Sequence, residues 1–473
     1  MELSRLKVLF VFPNINGTYE ESYSFGLAAI VSITKKSGYN PKVVYVNTRS
    51  GYQDVLCEIA TFKPQVVGFS SVSSQFNYVR ELALIIKKND PNIITVCGGV
   101  HSTINPACVL ECKDLDGVFV GEADHAFIEF LEKVENKCNY KDTDNFAYSL
   151  NGKLVKNKLK PLITDLDILP FPDKEISPYK EYVKWNKFSP FYFTRGCPYL
   201  CSYCSNHAIA ETYGLQRNSP RYRSPELCVS EIEEVIKMIP STLICIGDDT
   251  FGMNCKWRNE FLVEYKRRIN IGFICLLRVE VVSEGFVHAL KEAGCYSIQF
   301  GIESGNDYVR RDIMHRKMSN KQIVKAFDIV HSYKIRTNAI NIIGVPGETE
   351  EMIWDTIKLN RRIKPYSSGV NIFYPYKGTK LGNKCFEEGL VDEELYNSFS
   401  KERRESVLKY PDEFKKKLVY YHQNWHYLVY PFDMKYRLKR LLIILRLWGF
   451  VSISEKYVLS IVENFGRNFS RNV

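Results

Sequence analysis

The chain alternates short apolar runs with amphipathic stretches, and the alternation has two phases. Up to about residue 135, the runs KVLFVF (7–12), KVVYV (42–46), QVVGFSS (65–71), IITVCGG (93–99) and GVFVGE (117–122) read as strands. They are separated by stretches with helical spacing of apolar residues, such as FGLAAIVSITKKSG and FNYVRELALIIKKND. Five near-continuous apolar strands joined by helices predict a doubly wound, Rossmann-like parallel sheet over residues 1–140. Asn151-Gly152 within AYSLNGKLVKN is a hairpin signal, and the Pro-rich LDILPFPDKEISP that follows has no helical period, so 141–187 reads as hairpin and linker.

A second series begins at residue 188: FYFTRG, TLICIGDD, GFICLLR, SIQFGIES, TNAINIIG and GVNIFYPY. Six βα units of this kind predict a partial (β/α)6 TIM-like barrel over residues 188–385. The runs end in Arg195-Gly196, Gly247-Asp248-Asp249, Arg278, Glu303-Ser304-Gly305, Gly344 and Pro375, where barrels carry function. In the front sheet the corresponding ends carry Ser70-Ser71, Gly98-Gly99 and Gly121-Glu122, small residues that let a ligand approach the backbone. After residue 385 the period becomes helical, giving a basic helical C-terminal region, 386–473.

Composition narrows the class. The 473 residues are 45% hydrophobic and 25% charged, the balance of a globular chain with a large core. The net charge of +10 belongs to the end of the chain: residues 401–473 hold 15 Lys and Arg against 7 Asp and Glu, leaving 49 against 47 for the rest. That near-neutral body argues against nucleic acid as a partner, and KERRES and FKKKL read as solvated helix faces. The segment KYRLKRLLIILRLWGF is too short to span a bilayer. Its apolar residues surround the helix, which favours packing or a lid role over peripheral membrane contact and leaves both open. The N-terminal apolar run stops at Pro13 without a small-residue cleavage site and reads as a first strand, which places the chain in the cytoplasm. Most of the 14 cysteines stand alone in apolar segments, where free thiols pack as small hydrophobes.

Three cysteines do not. Cys197, Cys201 and Cys204 fall within eight positions of RGCPYLCSYC, just after the first strand of the second series. Three thiolates from one loop can converge on a metal centre. A zinc knuckle would need a fourth ligand, for which His207 is available.

The CxxxCxxC spacing, with Tyr203 before the last cysteine, resembles the radical S-adenosylmethionine superfamily. The resemblance implies that Cys197, Cys201 and Cys204 ligate a [4Fe-4S] cluster whose open iron is chelated by S-adenosylmethionine, and that one electron from a donor such as flavodoxin or ferredoxin generates a 5'-deoxyadenosyl radical. CIGDDTF, LLRVEVVSEGFVHALKEAGCYSIQFGIESGND, NIIGVPGETEE and NIFYPYKGTKL resemble successive strands of the cobalamin-associated branch. By that resemblance Tyr203, Asp248, Asp249, Arg278, Glu303, Ser304 and Gly344 are candidates for S-adenosylmethionine contact. Asp248 and Asp249 depart from the commoner Gly-Gly-Glu. They also suit a helix cap, Arg278 an ion pair and the glycines plain turns.

A sheet domain before such a barrel resembles the branch's cobalamin-binding domain, with Ser70, Ser71, Gly98, Gly99, His101, Gly121 and Glu122 as candidate contacts. No DxHxxG occurs, and residues 1–100 contain no histidine to ligate cobalt from below. A sheet that has lost its ligand remains the alternative. The implied reaction is C-methylation of a small molecule: the radical takes hydrogen from an unactivated carbon, which then receives the methyl group of methylcobalamin. The rivals are a radical enzyme without cobalamin (rearrangement, cyclisation or methylthiolation) and a zinc-containing nucleic-acid binder. Cys57, Cys97, Cys108 and Cys112 do not show the second-cluster pattern of methylthio-transfer enzymes.

Overall fold

A computed structural model describes residues 5–16, 23–175, 178–249, 251–398 and 401–432. The basic segment 435–450, read above as a lid or membrane-surface helix, lies outside the described residues.

The first five apolar runs form strands β1 (Val8–Pro13), β2 (Lys42–Val46), β3 (Val66–Ser70), β4 (Ile94–Gly98) and β5 (Gly117–Phe119). They pair in parallel in the order β2-β1-β3-β4-β5. Alternate side chains feed two cores. Leu9, Val11, Val67 and Phe69 join the helices Tyr52–Phe62 and Phe76–Asn89 on one face, and Val8, Phe10, Val66 and Phe119 join the helices Phe25–Lys36 and Asp124–Glu135 on the other. With both faces covered, the strands must be apolar throughout.

The hairpin extends this sheet. β6 (Phe146–Leu150) pairs antiparallel with β5 and with β7 (Lys153–Lys156). Asn151 and Gly152 both have positive φ, 52° and 74°, as a two-residue hairpin turn requires. The linker beyond is pinned by Lys174, which is buried 3.0 Å from Glu231, with the rings of Tyr23, Phe25, Tyr179 and Phe191 around its ammonium group.

The second series builds an all-parallel open sheet. β8 (Ser189–Phe191) is followed by a two-stranded ribbon of β9 (Thr194–Arg195) and β10 (Arg221–Tyr222), then by β11 (Ile244–Ile246), β12 (Phe273–Leu277), β13 (Cys295–Glu303), β14 (Arg336–Ile343) and β15 (Ser367–Ile372). The order β8-β11-β12-β13-β14-β15 is that of a partial barrel.

One expectation is corrected here. FYFTRG is not a single barrel strand ending at Arg195-Gly196: β8 stops at Phe191, and Arg195 lies in the separate antiparallel ribbon, opposite Arg221. The cause is Asp248, whose buried Oδ1 accepts from the backbone N–H groups of Phe193 and Thr194 at 2.7 and 2.8 Å and turns the chain off the sheet. Beyond the barrel, the helix Asp412–Val429 packs on β15, its Trp425 Nε1 donating to Ser368 Oγ at 2.8 Å.

Candidate functional site

The ribbon delivers the cysteine loop to the C-terminal ends of the barrel strands. Ser202, in the middle of the loop, is gripped from both sides: its N–H and hydroxyl donate to Met314 O and Ile313 O, and its carbonyl accepts from Leu381 N. Cys201 is buried, and two guanidinium groups reach its sulfur, Arg278 Nη1 at 3.6 Å and Arg316 Nη1 at 3.7 Å. Arg278 also lies 3.5 Å over the Tyr199 ring and pairs with Glu280 at 2.6 Å. Arg316 donates to Gly301 O at 2.6 Å and to Tyr203 OH at 3.4 Å, and stands 3.5 Å from Glu303. Burial lifts the Cys197 thiol to about 11 and Cys204 to about 12, so a bound cation is what would release their protons at neutral pH.

This donor set fits an anionic thiolate-ligated cluster. Three cysteines leave one metal position open, and two fixed cations beside Cys201 offset the thiolate charge. It fits a single zinc ion less well. Among the described residues no three Cys, His, Asp or Glu side chains are gathered into a metal-holding group as they stand, which bears on zinc and cluster alike. His207 Nε2 faces Glu211 at 3.6 Å.

The candidates for S-adenosylmethionine surround this loop unevenly. Asp249 is held by Asn206 Nδ2 at 2.9 Å, and its pKa is raised by burial against that hydrogen bond. Asp248 is fully buried; burial raises it to about 7 despite the two N–H groups on Oδ1, and its Oδ2 has no partner. Glu303 ends β13 at φ 65°, where a register shift next to Gly301 aims its carboxylate at Arg316. Ser304 is buried, its hydroxyl accepting from Asn306 N at 3.1 Å. Gly344 has φ 77° and packs against Leu418, so its place is set by backbone conformation and by that helix.

Between the front sheet and the segments that flank the cysteine loop lies a cavity of about 430 Å³. Its front wall includes Ser70, Gly98, Gly99, Gly121 and Glu122; its barrel wall includes Tyr192, Thr194, Arg195, Gly196 and Asp249. Gly99, at φ 99°, sits so close to the Ser71 backbone that a Cβ would meet Ser71 O at 2.6 Å. Gly98, Gly99 and Gly121 place bare backbone at the cavity wall, a cradle that fits a large flat cofactor. Ser71 and His101 do not line it. His101 is buried behind the strand ends, its ring tilted 34° against Phe76, with Nδ1 3.1 Å from Ser73 Oγ and its pKa lowered to about 4, chiefly by burial.

Sequence reasoning missed Arg316, Tyr199, Asp124 and Tyr213 as site residues. Arg316 lies 115 positions from Cys201, and no periodicity joins them.

Comparison with known proteins agrees with this geometry. The Radical SAM superfamily model matches residues 191–359, and the B12 binding domain model matches residues 15–131. An uncharacterised methyltransferase of Pyrococcus horikoshii is 26% identical over 395 residues, covering 82% of this chain and 84% of the relative. The anaerobic magnesium-protoporphyrin IX monomethyl ester cyclase of Rubrivivax gelatinosus is 26% identical over 415 residues, covering 83% of this chain and 72% of that protein. The fold is that of the radical S-adenosylmethionine methyltransferase TsrM from Kitasatospora setae, solved with tryptophan substrate and a SAM analogue: TM-score 0.67, 14% identity, 80% of this chain and 76% of that one.

Proposed function

The chain belongs to the cobalamin-binding branch of the radical S-adenosylmethionine enzymes, and from that membership we propose that it is a C-methyltransferase acting on an unactivated carbon of a small molecule. One observation carries the reading: the strand ends of the B12-type sheet share a cavity with Gly196 and Asn206, the residues that bracket the cysteine loop, and with Asp249. A group held by the front wall and one held by the loop would then meet across this cavity, as methyl transfer between two cofactors and a substrate demands. When bound, the cluster with S-adenosylmethionine supplies a 5'-deoxyadenosyl radical that removes hydrogen, and cobalamin supplies the methyl group.

The chain's own residues hold and shield. Cys197, Cys201 and Cys204 are the cluster ligands in this reading, with Tyr203 packed behind them. Arg278 offers a forked, permanently charged partner for the methionine carboxylate, and Asp249, which faces the cavity, an acceptor for the amino group. Glu303, Ser304 and Gly344, at the ends of β13 and β14, are the farther contacts, toward ribose and adenine. Asp248 holds the start of the cysteine loop in place. Ser70, Gly98, Gly99 and Gly121 are the cobalamin cradle, and apolar lining such as Phe69, Val96 and Phe119 excludes water. The reducing electron comes from a flavodoxin or ferredoxin. Fourteen free cysteines support a reducing compartment, the cytoplasm. Among the described residues no helix is long and apolar enough to cross a membrane.

Anaerobic incubation with S-adenosylmethionine and a low-potential reductant, with and without cobalamin, tests the reading. The proposal expects 5'-deoxyadenosine together with S-adenosylhomocysteine whose formation requires cobalamin. 5'-Deoxyadenosine without cobalamin-dependent S-adenosylhomocysteine would identify a radical enzyme that does not methylate.

A further inference from the structure

The ribbon that carries the cysteine loop has an electrostatic flaw. Arg195 and Arg221 are directly opposed on β9 and β10, a like-charge pair that weakens an isolated two-stranded ribbon. The front domain corrects it. Arg195 forms a two-pronged pair with Asp124, Nη1 to Oδ2 and Nη2 to Oδ1, both 2.9 Å, and lies 3.6 Å from Glu122. Arg221 contacts both oxygens of Glu122, at 2.8 and 3.0 Å, and donates to Ile163 O at 2.7 Å. Asp124 is 5% exposed, so the pair is largely removed from solvent screening.

A neutral stitch runs beside the charged ones. Tyr213, following the helix Ser205–Thr212 that begins after Cys204, accepts from Glu122 N at 2.8 Å, and its ring occupies the space a Cβ at Gly121 would need. Gly121 N in turn donates to Thr103 Oγ1 at 3.1 Å. Apart from the Arg221 bond to Ile163 O, the contacts converge on one four-residue segment, Gly121–Asp124, which is itself cavity wall. On the barrel side they flank the cysteines: Arg195 is two residues before Cys197, and Tyr213 nine after Cys204.

We infer that Arg195, Arg221 and Tyr213, closed on Glu122 and Asp124, are positioning residues that clamp the cluster loop to the cobalamin-side wall and couple occupancy of the two cofactor sites. Glu122, expected from sequence as a cobalamin contact, acts here through the clamp. The inference rests on the two-cofactor reading. Coupling of this kind is reciprocal: loading the cluster tightens cobalamin binding by the same factor by which cobalamin tightens cluster binding.

The test measures the hydroxocobalamin dissociation constant of the full chain, with the cluster reconstituted and with it absent, in the wild type and in Asp124→Asn. We expect the wild type to bind at least ~5-fold more tightly with the cluster in place, and the ratio to fall to about one in the variant. A ratio of one in the wild type, or a variant that weakens both constants while keeping the ratio, would overturn the inference. Tyr213→Phe removes the acceptor for Glu122 N while keeping the ring and the charged pairs, and is expected to lower the ratio in part, which covers the case in which Asp124→Asn does not fold.

A second arm needs no cofactor: iodoacetamide alkylation of Cys197 in the metal-free chain, referred to the exposed Cys57. The clamp predicts at least ~5-fold faster reaction at Cys197 in Asp124→Asn, because a released loop opens locally more often. Equal rates would refute it. A wild-type chain that takes up iron but no cobalamin would end the two-cofactor reading, and the alkylation arm would then decide the clamp alone.

Discussion

Glu348 shows how one buried side chain makes the fold pH-sensitive. Its Oε2 accepts from Gly344 N and Val345 N, its Oε1 has no partner, and burial raises its pKa from the ordinary 4.5 to about 8. The folded chain therefore binds more protons than the unfolded one between about pH 4.5 and 8, and stability falls as pH rises through that window. Glu348→Gln, which mimics the neutral acid, should flatten this decline by on the order of a few kcal/mol in urea unfolding across pH; an unchanged slope would place the charge elsewhere. Arg316 is the residue-scale counterpart at the cluster loop. Replacing it with Gln removes a cation 3.7 Å from the Cys201 sulfur and should make the loaded cluster harder to reduce, by on the order of 50–100 mV in an EPR-monitored titration. The cysteine loop stood out in the sequence because its three candidate ligands lie within eight positions and their spacing is itself the signal. Arg316 was not, because it reaches Cys201 only after β13 and a loop have folded back.

At the scale of elements, strand and hairpin signals were readable wherever the cause is local. Asn151-Gly152 makes its turn by backbone conformation alone, and the apolar runs of the front sheet are strands because both faces are buried. The break between β8 and β9 was hidden, because the group that causes it, Asp248, comes from the end of β11, 55 residues on. Its removal has a definite consequence. Asp248→Ala leaves two buried N–H groups without acceptors and should lower stability by about 2–5 kcal/mol, whereas Asp248→Asn keeps one acceptor oxygen and should lose far less. Paired denaturation curves measure the difference, and equal losses would mean that the carboxylate charge, not the capping, matters. Gly344 teaches the same lesson: sequence marked the glycine, but its neighbour Leu418 belongs to a helix beyond the barrel.

For the whole molecule, the two-layer reading of a doubly wound sheet followed by a partial barrel was legible because each half repeats one unit. How the halves meet was not: the cavity and the Gly121–Asp124 clamp depend on contacts between residues 71 to 99 positions apart. The central claim concerns that meeting, a cluster site and a cobalamin site opening on one space. It is tested most directly by purifying the chain anaerobically from cells supplied with hydroxocobalamin and measuring iron, sulfide, cobalt and zinc on the same sample, beside a variant with Cys197, Cys201 and Cys204 all changed to Ala. The account predicts about four irons and one cobalt per chain, with iron lost in the variant and cobalt retained at reduced occupancy. Iron without cobalt, or zinc in place of iron, would contradict it.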